Sequence, residues 1–282
     1  MAKLDTRAIG LDAGLKFMTW LTGAENLHYG YWPGLPVSAG NFGAAQEAYT
    51  AKLFEQLPEG KLRILDIGGG AGVTAGKLLA LGHEVEIIVP SPLLAERCRV
   101  NAPGAQVHEM GFEDYAGSGD FDLCLFSESF QYIPLERGLP RCLDLLKPDG
   151  QVLIADCFRS DAPVADRSVA RVGGGHALTR FRQMLTELPV AVAFEEEITE
   201  AVAPSVDIEQ ELFNVVGFAA TRVTQELAGK QPWRHRILTR LWRTFTTPRT
   251  RARLDMRLNQ RTRTSEAFVT YNHYMIFRLT RV

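Results

Sequence analysis

A run of glycines behind an apolar strand carries the clearest chemistry in the chain. In Leu65-Asp66-Ile67-Gly68-Gly69-Gly70-Ala71-Gly72 the glycines allow a tight turn and close backbone approach to a ligand. The helix expected after them presents unpaired N–H groups, so a nucleotide-like ligand suits the turn, with a plain structural turn as the alternative. Two histidines are candidates to take a proton near neutral pH. His176 follows Gly173-Gly174-Gly175 at the start of a helix, and His28 lies in a loop rich in aromatic residues. His273 reads as packing on the last strand, and His83, His108 and His235 read as surface positions. The cysteines at 98, 124, 142 and 157 form no CxxC pair, and no His, Cys or acid spacing suits a metal, so neither a zinc site nor a disulfide framework is expected.

Positioning these groups is the task of the elements around them. With 282 residues, 46% of them hydrophobic, the chain can bury the core of one large α/β unit with a cap. A formal charge of −2 and a pI near 6.3 give no reason to expect nucleic acid as a partner. No stretch approaches the roughly 18 apolar residues of a membrane span, and the start of the sequence has no signal pattern, so a cytoplasmic location is the default expectation. Residues 4–21 and 42–56 read as helices around the loop 25–34. Strands are expected over 62–67, 84–89, 105–110, 121–127 and 151–157, with helices over 72–81, 91–100 and 135–147. That alternation predicts a mainly parallel sheet covered by helices on both faces. Lys147-Pro148-Asp149-Gly150 reads as a helix stop and turn, 177–188 as a helix, 190–198 as a strand and 266–280 as a closing strand.

A helical insertion over 205–263 separates the last two strands. Across 230–263 it holds one Lys and ten Arg against a single acid, Asp255. Trp233, Ile237, Leu238, Leu241, Trp242 and Phe245 recur there at helical steps, with Arg234, Arg236, Arg240 and Arg243 between them. Two readings are open. The apolar face packs the cap onto the sheet and leaves the arginines solvated, or the helix meets something anionic: a phosphate or carboxylate substrate, an acidic carrier protein, or a membrane surface. The expected organisation is 1–60 as N-terminal helices and aromatic lid, 61–200 with 264–282 as the core, and 201–263 as the arginine-rich cap.

The glycine loop, with an acid directly after its strand, resembles motif I of the class I S-adenosylmethionine-dependent methyltransferases. The likeness extends over about residues 25–158 and includes the strand and loop 120–134 and the run Leu145 to Asp156. It implies a Rossmann-like α/β sheet, mostly parallel with an antiparallel last strand, carrying a helical lid and a helical cap insertion. It implies S-adenosylmethionine as cofactor, held by Asp66, Gly68, Gly69, Gly70 and Gly72, by Phe112 and Glu113 at the adenine turn, and by Ser127 after the fourth strand. The loop Tyr29-Gly30-Tyr31-Trp32 is similar to the segment that closes over the cofactor in relatives modifying sugars, quinones, tocopherols and other natural products. Packing of these aromatics onto the core is the alternative. Asp156 falls where some sugar methyltransferases keep an acid that activates a hydroxyl; as a strand-end Asp it equally suits a turn cap.

The sequence departs from that family at three points. Val89 stands where an acid usually binds the ribose hydroxyls; Ser91 or a backbone group replaces it, or Glu84 or Glu86 serves in a shifted register, or the cofactor is held differently. Gly111 stands where an Asp is common, and Glu128-Ser129-Phe130-Gln131-Tyr132 lacks the family's His base. The expected function is methylation of an oxygen, nitrogen or carbon on a small biosynthetic metabolite. The alternatives are cyclisation or a pericyclic reaction on the same fold, and a non-catalytic binding protein.

Overall fold

The computed structural model describes residues 6–117, 119–162, 172, 174–259 and 262–282. Two helices open the chain, α1 (Thr6–Thr22) and α2 (Phe42–Phe54), joined by the aromatic loop. The core then alternates β1 (Arg63–Ile67), α3 (Val73–Ala80), β2 (Glu84–Ile88), α4 (Pro92–Asn101), β3 (Gln106–His108), β4 (Phe121–Ser127), α5 (Leu135–Leu145), β5 (Leu146–Arg159), α6 (Leu178–Glu187) and β6 (Val190–Glu197). Five helices follow: α7 (Thr199–Val202), α8 (Pro204–Lys230), α9 (Pro232–Phe245), α10 (Pro248–Asn259) and α11 (Ser265–Tyr271). The strand β7 (Asn272–Arg281) closes the sheet.

The seven strands lie in the order β3-β2-β1-β4-β5-β7-β6. β1 pairs in parallel with β2 and β4, while β7 inserts antiparallel between β5 and β6. Successive residues of the central strands feed opposite cores. Leu123 and Leu125 pack under α2, α3 and α4, whereas Cys124 and Phe126 pack with α5 and α6. Both faces are therefore covered, which is why these strands read as unbroken apolar runs. The sheet order reverses direction between β1 and β4, and such a switch point opens a crevice at the carboxyl ends of the strands.

Two boundaries differ from the sequence expectation by more than two residues. β5 begins at Leu146, opposite Phe121, and the register slips before Leu123 meets Gln151, so Lys147 to Gly150 form an irregularity inside the strand. A Cβ on Gly150 would lie 2.9 Å from the Leu146 Cβ and 3.0 Å from the Phe121 carbonyl oxygen, so that backbone approach needs glycine. The closing strand starts at Asn272 because 265–271 turn into α11, whose first turn is capped by the Thr264 hydroxyl accepting from Ala267 N at 3.1 Å.

Candidate functional site

β1 delivers the chain to the switch point at Ile67. Gly68 has φ 78° and donates its N–H to the Ile88 carbonyl at 2.8 Å, fastening the turn to β2. Gly68, Gly70 and Gly72 all have positive φ, yet they serve different ends. A Cβ on Gly72 would sit 2.7 Å from the Cys98 Cα, so that glycine lets α3 pack on α4 and lies away from any ligand. A Cβ on Gly70 would meet nothing nearer than the Leu27 Cδ1 at 3.8 Å. Gly70 thus faces open space.

That space is a cavity of about 440 Å³ between the glycine loop and the loop after α1. Its wall brings together Asp66, Gly68, Gly69, Gly70, Ser91, Phe112, Glu113 and Ser127, the cofactor residues expected from the sequence apart from Gly72 and the three aromatics. Asp66 is 1% exposed and its Oδ2 has no partner; burial pushes the carboxyl up to about 7. Asn26, also on the wall, buries an amide whose oxygen and nitrogen are both unpartnered. Orphaned polar groups at both places are unusual in a folded chain, and a ligand with polar groups at its ends satisfies them. The residues present therefore fit a cofactor of the S-adenosylmethionine type. Asn26 escaped sequence reading because an asparagine in a loop carries no distinguishing pattern.

Tyr29, Tyr31 and Trp32 do not line the cavity. Trp32 is 3% exposed, donates from Nε1 to the Ser205 hydroxyl at 2.9 Å and meets Phe42 edge-on. Tyr31 packs against the core and donates its N–H to the Ala45 carbonyl at 2.8 Å. The Tyr29 hydroxyl accepts from the Arg263 guanidinium at 3.1 Å, and Arg263 also pairs with Glu209 at 2.8 Å. The aromatics thus pin the lid to α2, α8 and the far end of the cap, while Glu25, Asn26, Leu27 and His28 form the wall.

The expected bases are distributed differently from the sequence reading. His28 reaches the wall, stacks on Tyr49 at 4.5 Å and donates from Nδ1 to the Tyr29 carbonyl at 2.8 Å. Burial lowers it to about 4, leaving a neutral, weakly basic ring. His176 is not on the wall; its Nε2 shares a proton between the Phe130 and Ile133 carbonyls at 3.2 and 3.0 Å, fixing the turn after β4. Asp156 is also off the wall. Its carboxylate accepts from Gln131 N and Nε2, both at 3.0 Å, and from Cys157 N at 2.6 Å, as a turn cap does. Burial raises Asp156 to about 7.

A carboxyl that the sequence reading passed over stands at the cavity instead. Glu128 follows β4 with φ 57°, a left-handed conformation rare for a side-chain-bearing residue and concentrated at functional sites. Its Oε1 accepts from Tyr29 N at 2.7 Å and from the Tyr274 hydroxyl at 2.9 Å. Because Tyr274 spends its proton on Glu128, the Tyr49 hydroxyl 2.8 Å away donates to Tyr274, and Ser127 stands 3.3 Å behind Tyr49. Burial pushes Glu128 up to about 8. The result is a carboxyl at the end of a hydroxyl chain, able to hold a proton near neutral pH.

The structure also narrows the readings of Val89. Val89 is buried on the wall. Glu86 is taken up by Arg63 and His108, each at 2.7 Å, and by Tyr115 at 3.0 Å, and Glu84 pairs with Lys61 at the surface. Neither glutamate is on the wall. Ser91 is on the wall; it caps α4 by accepting from Leu94 N at 3.3 Å and lies 3.5 Å from the Asp12 carboxylate of α1.

Among the described residues no cluster of His, Cys, Asp and Glu suits a metal, and no helix is long and apolar enough to cross a membrane. Residues 64–150 match the family model described as a methyltransferase domain. A ubiquinone biosynthesis O-methyltransferase from Xanthomonas axonopodis pv. citri is 31% identical over 110 residues, which is 36% of this chain and 46% of that protein. The chain therefore spans about half the length of the curated relatives it matches. Among solved structures, the 4+2 cyclase SpnF superposes with a TM-score of 0.67 at 16% identity, over 97% of this chain and 95% of that one. Geranyl diphosphate C-methyltransferase from Streptomyces coelicolor A3(2) superposes over all of both chains with a TM-score of 0.64 at 13% identity. At such identities these two speak for the fold alone. The matched methyltransferase domain over residues 64–150, the strand order and the glycine loop agree with one another, and the superpositions extend the likeness in fold to the whole chain.

Proposed function

We propose that the chain is an S-adenosylmethionine-dependent methyltransferase acting on a small biosynthetic metabolite at an oxygen, nitrogen or carbon atom. The observation that carries this reading is the cavity whose wall includes both the glycine loop and Glu128. The cofactor, when bound, supplies an electrophilic methyl group on a sulfonium. Asp66, the amides of Gly68 to Gly70, Ser91, Phe112 and Glu113 hold it, and Asn26 and Leu27 exclude water from above. Alignment for in-line displacement is then the chain's main contribution. Where the acceptor must lose a proton, Glu128 takes it, with Tyr274 and Tyr49 stabilising the carboxylate by hydrogen bonds. The geranyl diphosphate and ubiquinone-pathway relatives support a small acceptor.

A second reading, cyclisation without methyl loss, draws on Val89 in place of the ribose acid and on the likeness to a 4+2 cyclase. Calorimetric titration with S-adenosylmethionine and S-adenosylhomocysteine tests both readings at the binding step. Binding of neither compound rules out both. Binding followed by methyl loss in the presence of an acceptor selects the first.

A further inference from the structure

The cap exposes the apolar face of α9. No residue of α9 is buried, and Trp233, Ile237, Leu238, Leu241, Trp242 and Phe245 are exposed by between 49% at Leu241 and 83% at Phe245. Stepped along 14 residues, they form one apolar arc about 20 Å long. α8 adds Val215, Phe218 and Val223, each more than half exposed. A row of this size left to water on a folded chain marks a docking surface.

Its charge says what docks. Arg236, Arg240 and Arg243 lie on the side of α9 away from the apolar arc, and Arg249 and Arg253 continue the charge along α10. Among the described residues the ion pairs of the cap are Arg222–Glu226, Lys230–Glu226 and Arg263–Glu209, so these five arginines have no carboxylate partner. The segment 230–263 carries eleven basic residues and one acid in a chain whose formal charge is −2, so the positive charge is concentrated here.

We infer that α9, flanked by α8 and α10, lies flat on an anionic lipid surface, with Trp233, Trp242 and Phe245 at the level of the headgroups and the arginines on the polar face, where their charge draws the cap to the surface. Two tryptophans and a phenylalanine in one arc beside dense arginine match the composition of helices that lie in a membrane interface. The inference does not depend on the reaction proposed for the cavity.

The test is flotation of the full chain with phosphatidylcholine vesicles prepared with and without phosphatidylglycerol. Binding is expected only with the anionic lipid and is expected to weaken with salt. Arg236→Glu, Arg240→Glu and Arg243→Glu together should weaken it by about a hundredfold or more. Trp242→Ser with Phe245→Ser should weaken it comparably, and circular dichroism and S-adenosylhomocysteine affinity should match the parent in both variants. Three results overturn the inference: no binding to anionic vesicles, binding by either variant as tight as the parent's, or a salt-stable dimer in sedimentation that the apolar variant abolishes.

Discussion

Replacing Gly70 and Gly72 in turn separates the ligand's glycine from the fold's glycine. Both residues have positive φ, 55° and 83°, so a side chain at either costs about 1–2 kcal/mol in backbone strain. Beyond that they diverge. At Gly70 the new Cβ finds its nearest neighbour, the Leu27 Cδ1, at 3.8 Å, an ordinary contact, so Gly70→Val adds little overlap and sends its methyls into the cavity. At Gly72 the new Cβ falls 2.7 Å from the Cys98 Cα and 3.2 Å from its sulfur, and backbone must move. Overpacking of that kind adds about 1–3 kcal/mol, for a total near 2–5 kcal/mol in Gly72→Ala. At about 2–4 °C per kcal/mol in a chain of this size, calorimetric scans should place Gly70→Val a few degrees below the parent and Gly72→Ala up to roughly 20 °C below. Titration with S-adenosylhomocysteine should show Gly70→Val at least about tenfold weaker, a loss of 1.4 kcal/mol or more. Parental affinity in Gly70→Val, or a melting loss in Gly70→Val as large as in Gly72→Ala, would refute the assignment of the cavity.

Other consequences are equally concrete. Asp66, Glu128 and Asp156 are raised by burial to about 7, 8 and 7, while unfolded carboxyls titrate near 4, so the folded chain holds more protons across that interval and its stability falls as pH rises through it. Urea midpoints should decline between about pH 5 and pH 8, and Glu128→Gln should shrink the decline; a rising midpoint contradicts the burial argument. If Glu128 takes the acceptor's proton, turnover increases as pH approaches about 8, and Glu128→Gln removes that increase while leaving S-adenosylhomocysteine affinity within a few-fold. His176→Gln should cost about 1 kcal/mol through its carbonyl contacts and leave the pH profile of turnover unchanged, whereas a lost pH limb would return His176 to the chemistry. Arg263→Gln removes the charged link between Tyr29 and Glu209 and should cost about 1.5–3 kcal/mol in chemical denaturation, with parental stability counting against the lid-to-cap tie.

What was legible in the sequence is what local patterning encodes. The glycine loop and the alternation of strands and helices leave signatures within a few residues. The order of β7 and β6 in the sheet does not, because it follows from a chain that leaves after β6 and returns some 75 residues later. Glu128 was visible as an acid after an apolar strand, but its significance comes from Tyr49 and Tyr274, which stand 225 positions apart and meet only in the fold. His176 and Asp156 read as proton carriers because isolated residues of those types do; in the structure both tie down the turn after β4, His176 through the Phe130 and Ile133 carbonyls and Asp156 through the Gln131 backbone and side chain. Glu25 to His28 of the aromatic loop line the cavity, yet the rings that follow turn away, since Trp32 and Tyr29 find Ser205 and Arg263 in the cap. Helical periodicity revealed the apolar arc of α9, although periodicity alone does not say whether a core or a partner covers it.

The most direct test of methyl transfer in this cavity is incubation with S-adenosylmethionine carrying a deuterated methyl group and a pool of small metabolites, read by mass spectrometry. The account predicts that a small acceptor gains the labelled methyl with the parent chain and not with Gly70→Val. Tight binding of S-adenosylmethionine with no acceptor ever labelled would contradict it and favour the cyclase reading.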